Sequence, residues 1–232
     1  IQRPLNDQGN SHWGFSLNIS GLINNIVLEN NKDSLGQYNL VGRHYLKDNL
    51  ALRLGFGAAY LKNNAYNEDS VTIFTTGNKA LETKDSTTSR FDFKIGIGIE
   101  KHLGTTRRLD PYVGADLSII RIGATKITSE LERTDVTGTH KESTTIQMDG
   151  GAGFSLGAIA GFNYFLSRNL SLGVEFGYAY NYVKTGGDFS ENSRIIPVSG
   201  TETNTNKFGK SSESGTSIGA TATGGIMLSF FF

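Results

Sequence analysis

Four histidines, at positions 12, 44, 102 and 140, are the side chains best suited to proton transfer near neutral pH. A nucleophile–base pair on a strand would place a serine two residues from a histidine, so that both project from one face. The residues two positions on are Gly14, Leu46, Gly104 and Glu142, and that pattern is absent. His140 with Glu142 and Ser143 has suitable residue types but falls in a polar segment, where a solvated role is expected. There is no cysteine, which excludes disulfides, thiolate metal ligands and thiol nucleophiles. Arg107 and Arg108 could bind a partner or a phosphate, although a solvated turn accounts for them too. Gly150, Gly151 and Gly153 resemble a phosphate loop only superficially, because no helix follows to supply its N-terminal dipole. Strand entry and bulging explain them better, so no catalytic residue, metal ligand or cofactor is expected.

The remaining chemistry lies in charged residues placed inside apolar alternation. Arg43, Arg53, Arg90 and Lys94 stand against Asp92, Glu100, Asp116 and Glu175, four cations to four anions. Unpaired buried charge is very costly, so such a set predicts a paired interior network. The whole chain is likewise balanced, with 22 basic and 22 acidic residues. Binding driven by counterion release is therefore not expected, and nucleic acid is excluded as a partner class.

The elements that must position these charges read as β-strands. The chain has 29 glycines and 9 tyrosines but only 3 prolines, a composition that favours pleated structure over helix. No apolar run approaches the ~20 residues of a transmembrane helix. Residues 1–9 lack a basic-then-apolar signal pattern, and Ile1 is expected to lie close to a mature terminus. Period-two alternation predicts strands at Trp13–Gly21, Tyr38–Leu46, Leu50–Tyr60, Arg90–Glu100, Pro111–Ile120, Ala152–Tyr164, Leu170–Tyr182 and Gly215–Phe232. Long polar segments, Lys62–Ser89, Arg121–Gly151 and Val183–Ser214, alternate with short turns such as Lys47–Asn49 and Ser167–Asn169. The flanks ATKITSEL (124–131) and STTIQMD (143–149) could continue their strands as a hairpin.

One parity of each strand is apolar; the other is chiefly glycine, serine, alanine and threonine. A soluble barrel would need a charged, solvated exterior, whereas small residues suit the cramped lumen of eight strands. Aromatic residues near strand ends, including Trp13, Tyr45, Tyr60, Tyr112, Tyr164, Phe230 and Phe232, are expected to form interfacial girdles. The expected fold is an all-β, eight-stranded antiparallel up-and-down transmembrane barrel over 13–232, with short periplasmic turns and long extracellular loops. Residues 1–12 form an N-terminal periplasmic segment in this scheme.

The paired hairpins YLKDNLALRLGFGAAY (45–60) and FLSRNLSLGVEFGYAY (165–180) share one template, and DPYVGADL (110–117) and a terminal SFFF accompany them. On these motifs the chain resembles, over essentially its whole length, the small eight-stranded outer-membrane barrels of the OmpA-barrel and OmpX-like family. The resemblance implies export to a bacterial outer membrane, contact with lipid and lipopolysaccharide, and assembly by barrel-assembly machinery reading Phe230 and Phe232. Some barrels of this kind modify lipid A, which leaves a lipid A or phospholipid enzyme as one alternative and a narrow solute channel as another. The reading favoured by the residues is a non-enzymatic barrel with a plugged lumen, acting at the surface or as an accessory subunit beside other outer-membrane proteins. Small residues Ala220, Ala222 and Gly224 on the outward parity of the last strand would admit a close neighbour. Asp33-Ser34-Leu35, Asp69-Ser70-Val71 and Asp85-Ser86-Thr87 resemble O-glycosylation sites of Bacteroidota, making Ser34, Ser70 and Ser86 candidate acceptors in outer loops and implying a source of that kind.

Overall fold

The computed structural model describes residues 13–19, 38–72, 79–104 and 108–232, and of 220–224 the backbone alone. The N-terminal 1–12 and Ser34 lie outside the described residues. Ten strands run in chain order: β1 (Trp13–Asn18), β2 (Leu40–Lys47), β3 (Leu50–Thr72), β4 (Lys79–His102), β5 (Leu109–Ile122), β6 (Thr125–Asp135), β7 (Gly138–Met148), β8 (Gly151–Phe165), β9 (Leu170–Ile196) and β10 (Thr203–Phe231). No helix occurs among the described residues.

Eight of the strands close on themselves. The hydrogen-bonded order β1-β2-β3-β4-β5-β8-β9-β10 is completed by antiparallel pairing of β10 with β1. Closure removes the open edges that would otherwise invite pairing with another chain. The last residue meets the first strand directly: Trp13 N donates to Phe232 O at 3.1 Å and Phe232 N to Trp13 O at 3.0 Å.

The two further strands, β6 and β7, form a hairpin above the ring, so the count is ten where the alternation suggests eight. They continue β5 and β8 past a one-residue slip. Asp92 pairs with Ile122 but Ser89 with Lys126, so one residue more is used between Ile122 and Lys126 than on β4. Gly123 and Gly150 sit at that break, where a Cβ would come within 2.1 Å of Phe91 O and 2.0 Å of Ile122 O respectively. Only glycine allows the backbones to approach so closely.

The hairpin expected from the flanks 124–131 and 143–149 is present as β6 and β7, while the long loops expected after β3 and β9 are corrected. They are largely strand, because their alternating Thr, Ser, Tyr and Val residues suit paired backbone as well as the wall does. β3 pairs with β4 up to Thr72↔Lys79, and β9 with β10 up to Ile195↔Thr203. At about 3.3 Å per residue, the strand beyond Tyr60 rises roughly 40 Å along its own direction. Cross-strand ion pairs lace this extension, among them Arg133 Nε with Glu82 Oε2 at 2.9 Å and Lys141 Nζ with Glu132 Oε2 at 2.9 Å. Ser70 and Ser86, expected in loops, lie on paired strands β3 and β4. The turn joining β6 to β7 is held by Asp135, whose Oδ1 accepts from Thr137 N at 2.7 Å and Gly138 N at 3.2 Å. Hydrogen bonds from the Thr137 hydroxyl and backbone hold its carboxyl below the usual aspartate range.

In the ring, outward and inward sides separate by parity. Leu54, Ile97, Leu117, Leu156 and Phe176 are exposed on the outside, while Arg43, Glu100, Ser118, Ser155 and Ser229 are buried inside. Between Thr221 and Gly225 the β10 register shifts against Gly177 and Glu175. Because four positions of β10 match two of β9, the parity survives, and Ile218 and Phe230 both face outward. Two expected girdle residues do not. Tyr45 and Tyr112 are 3 % and 1 % exposed, since they share the parity of Arg43 and Asp116 and so face the lumen.

Small lumen residues leave room for Tyr38, which enters the ring just before β2. A Cβ on Gly55 would lie 2.5 Å from the Tyr38 ring. Gly55→Ala is expected to destabilise the barrel by about 1–3 kcal/mol through overpacking. In a Tyr38→Ala background the same change should have little effect, as read by urea unfolding midpoints. Equal penalties in both backgrounds would show that Tyr38 is not the obstructing group.

Candidate functional site

The inward charges meet near the middle of the lumen. Arg43 comes from β2, Arg53 from β3, Glu100 from β4 and Glu175 from β9, each on the parity that faces inward. Arg43 Nε donates to Glu100 Oε2 at 2.7 Å. Arg53 Nη1 reaches both Glu100 Oε1 at 2.7 Å and Glu175 Oε2 at 2.5 Å, while its Nη2 donates to Glu175 Oε1 at 2.6 Å. Tyr112 Oη adds a donor to Glu175 Oε2 at 2.8 Å. Arg43 Nη1 also donates to Ser16 Oγ, whose hydroxyl lies 2.6 Å from that of Ser229.

Two features of this arrangement matter. The first is balance: two guanidinium groups face two carboxylates, and buried ion pairs persist only when their hydrogen-bonding capacity is largely met. The second is span. In the ring order, β3 and β9 stand four places apart among eight, so the bidentate Arg53–Glu175 contact crosses from one wall to the opposite one. The planar guanidinium fork matches a carboxylate edge in a way that a lysine could not.

Further side chains pack above and below the quartet. Toward the short-turn end, His102 Nδ1 lies 2.9 Å from Asp110 Oδ2, and its ring packs between Tyr45 and Tyr112 at centroid distances of 5.2 and 5.5 Å. Below it Tyr45, Ala51, Phe165 and Phe231 form a buried floor, with Phe165 and Phe231 centroids 5.3 Å apart. On the other side Lys94 Nζ and Arg53 Cζ lie 4.9 and 5.4 Å from the centre of the Tyr38 ring. These are cation–π distances. The space lined by Tyr38, Arg53, Lys94, Asp116 and Glu175 amounts to about 20 Å³, room for about one water.

The eight charges read from the sequence thus divide. Arg43, Arg53, Glu100 and Glu175 form one connected unit, and Lys94 and Asp116 border it. Arg90 and Asp92 pair separately, Arg90 Nη2 to Asp92 Oδ2 at 2.9 Å, higher up, where Asp92 Oδ1 accepts from Gly123 N at 3.1 Å. Alternation alone did not mark Tyr112, His102, Asp110, Ser16 and Ser229 as members. Parity was the available signal, since each falls on the inward series of its strand. Tyr38 precedes β2 and carries no such signal. Of the proposed neighbour-facing wall, Ala220, Ala222 and Gly224, the side chains lie outside the described residues. Phe230 faces outward and Phe232 is exposed at the junction with Trp13.

Removing one carboxylate from the quartet leaves buried guanidinium charge uncompensated. Glu100→Ala is expected to cost about 3–5 kcal/mol in unfolding free energy, against less than about 1 kcal/mol for Arg90→Ala at its partly exposed pair. Equal effects in urea titrations would show that the four central groups do not act as a unit.

Comparison with known proteins agrees with this geometry. The sequence model of the OmpA-OmpF-like porin family matches residues 26–191. No curated protein matches the chain significantly.

Proposed function

Because the chain belongs to the OmpA-OmpF-like porin family, an outer-membrane β-barrel class, we propose that it acts as a non-enzymatic barrel with a closed lumen whose work is done by its raised strands. The observation that carries this reading is the Arg53–Glu175 bridge, which spans the lumen above an aromatic floor. A conducting pore of this size would need a continuous water path between two end faces. The bridge, the Tyr38 ring and the Phe165–Phe231 floor stand in that path at three levels. The wall serves as an anchor, and its outward apolar parity meets the hydrocarbon.

The raised part supports the second half of the proposal. Six strands, β3-β4-β6-β7-β9-β10, continue beyond the ring as one paired sheet. They present a largely polar surface on which Tyr66, Leu81, Val136 and Phe208 are exposed, Val136 at the β6–β7 turn. Positioned loops and extensions on a fixed scaffold are the usual carriers of recognition. The role is that of a surface-interaction protein, or an accessory subunit engaging another outer-membrane protein through this sheet.

In planar bilayers the barrel should give no conductance steps above background, whereas the double variant Arg53→Ala/Glu175→Ala should give measurable steps. Steps from the unmodified barrel would overturn the closed-lumen reading. Purification in mild detergent at native abundance, with mass spectrometry of co-purifying chains, tests the interaction role; a solitary barrel would count against the accessory-subunit form.

A further inference from the structure

The outer wall of a closed barrel is expected to be convex, yet next to the short-turn end it is hollowed. A shallow, open groove of about 740 Å³ runs over β1, β2, β3, β4, β5 and β8, from Trp13 at one side to Leu156 at the other. That volume lies in the ~300–1,000 Å³ range of small-molecule sites. Gly42 sets part of the hollow: it sits in register between Phe15 and Leu54, two large outward side chains. Its missing side chain is not demanded by packing, since a Cβ there would meet nothing closer than Leu54 O at 3.9 Å.

The groove is apolar apart from a polar edge. His44, two residues below Gly42 on the same face, packs on Trp13 with ring centroids 4.4 Å apart. Its Nδ1 is shielded and has no hydrogen-bond partner among the described residues. An N–H buried there without an acceptor would cost about 1–3 kcal/mol. With Nδ1 shielded, Nε2 is the ring nitrogen left to meet a ligand. Below this row Lys47 and Lys101, both exposed, pair in register with Leu50 from either side. The carboxylates nearest in sequence to Lys101, Glu100 and Asp110, are buried in the lumen. Among the described residues the outer rim here carries Lys47, Lys101 and Arg108 against Asp48.

From the juxtaposition of an apolar hollow, an indole–imidazole edge and a basic rim, we infer that this groove is a discrete site for one anionic glycerophospholipid of the inner leaflet. The acyl chains lie across Gly42, Leu54, Ile97 and Leu117. The His44 Nε2 and the Trp13 ring meet the ester level, and Lys47 and Lys101 meet the phosphate. Position selects the leaflet, because the groove begins within a few residues of the short turn at Asp48 and Asn49. Charge selects the headgroup: a phosphate monoanion without a compensating cation, as in phosphatidylglycerol, fits the basic rim better than a zwitterion.

This inference rests on the wall facing hydrocarbon, and the test separates the two. The full chain is refolded into detergent and into vesicles, with insertion read from the heat-dependent gel mobility of a closed barrel. Native mass spectrometry then counts retained lipid after titration with phosphatidylglycerol, phosphatidylcholine or lipopolysaccharide. The inserted wild-type barrel is expected to retain one phosphatidylglycerol in preference to phosphatidylcholine. Gly42→Leu, whose Cβ has room on the outer face and whose side chain occupies the hollow, should insert as well but lower retention roughly tenfold. Lys47→Gln/Lys101→Gln should abolish the headgroup preference while leaving insertion unchanged. Equal retention by wild type and Gly42→Leu, no preference for the anionic lipid, or retention of lipopolysaccharide instead would each overturn the site. Failure of the wild type to insert would remove the membrane premise together with it.

Discussion

Two arginines and two glutamates buried across the width of one narrow lumen impose the condition on which the rest of this barrel depends. Each charge is tolerable only while its partners hold position, since a single unmatched ion in such an interior costs several kcal/mol. Arg53 joins β3 to β9, Arg43 joins β2 to β4, and Glu100 accepts from both arginines. The quartet therefore reports on the whole ring: four strands must be in register before any of its contacts can form. Tyr112, Ser16 and Ser229 extend the same unit into three further strands of the wall.

The small residues opposite the quartet follow from that filling. Gly55 and Gly96 give Tyr38 its space, and Tyr38 in turn offers a π face to Lys94 and Arg53. Phe165, Phe231 and Tyr45 pack as a buried aromatic cluster at the short-turn end of the network, and a low-dielectric surrounding of this kind strengthens electrostatic contacts. The rigidity of the ring also supports what stands on it. β3, β4, β9 and β10 pass from wall to raised sheet without interruption, and the β6–β7 hairpin is inserted by a one-residue slip at glycine breaks. A polar two-sided sheet of this height would be marginal alone; continuity with a closed barrel fixes its register.

The same division explains how the outer wall acquires a local feature. An outward parity built only of large apolar residues would make a uniform surface for lipid. Gly42 and the His44–Trp13 pair break that uniformity at one level, beside exposed lysines.

Much of this was legible in the chain itself. Alternation at Leu50–Tyr60 and Leu170–Tyr182 marks strands and their inward small residues mark a narrow lumen, because side-chain direction in a strand is a local property of period two. The charge balance of Arg43, Arg53, Glu100 and Glu175 likewise implied pairing. Tertiary structure alone decided which charges meet: Arg53 and Glu175 are 122 residues apart in sequence, and only ring closure brings β3 opposite β9. It also decided that Arg90 and Asp92 stand apart, whereas the inward direction of Tyr45 and Tyr112 follows from the parity they share with Arg43 and Asp116. Strands carried the polar segments between apolar runs for the same reason, since pairing there depends on a neighbour already held by the barrel. Parity is written in each strand by local geometry, whereas partnership across a lumen depends on register and closure, which no single strand encodes.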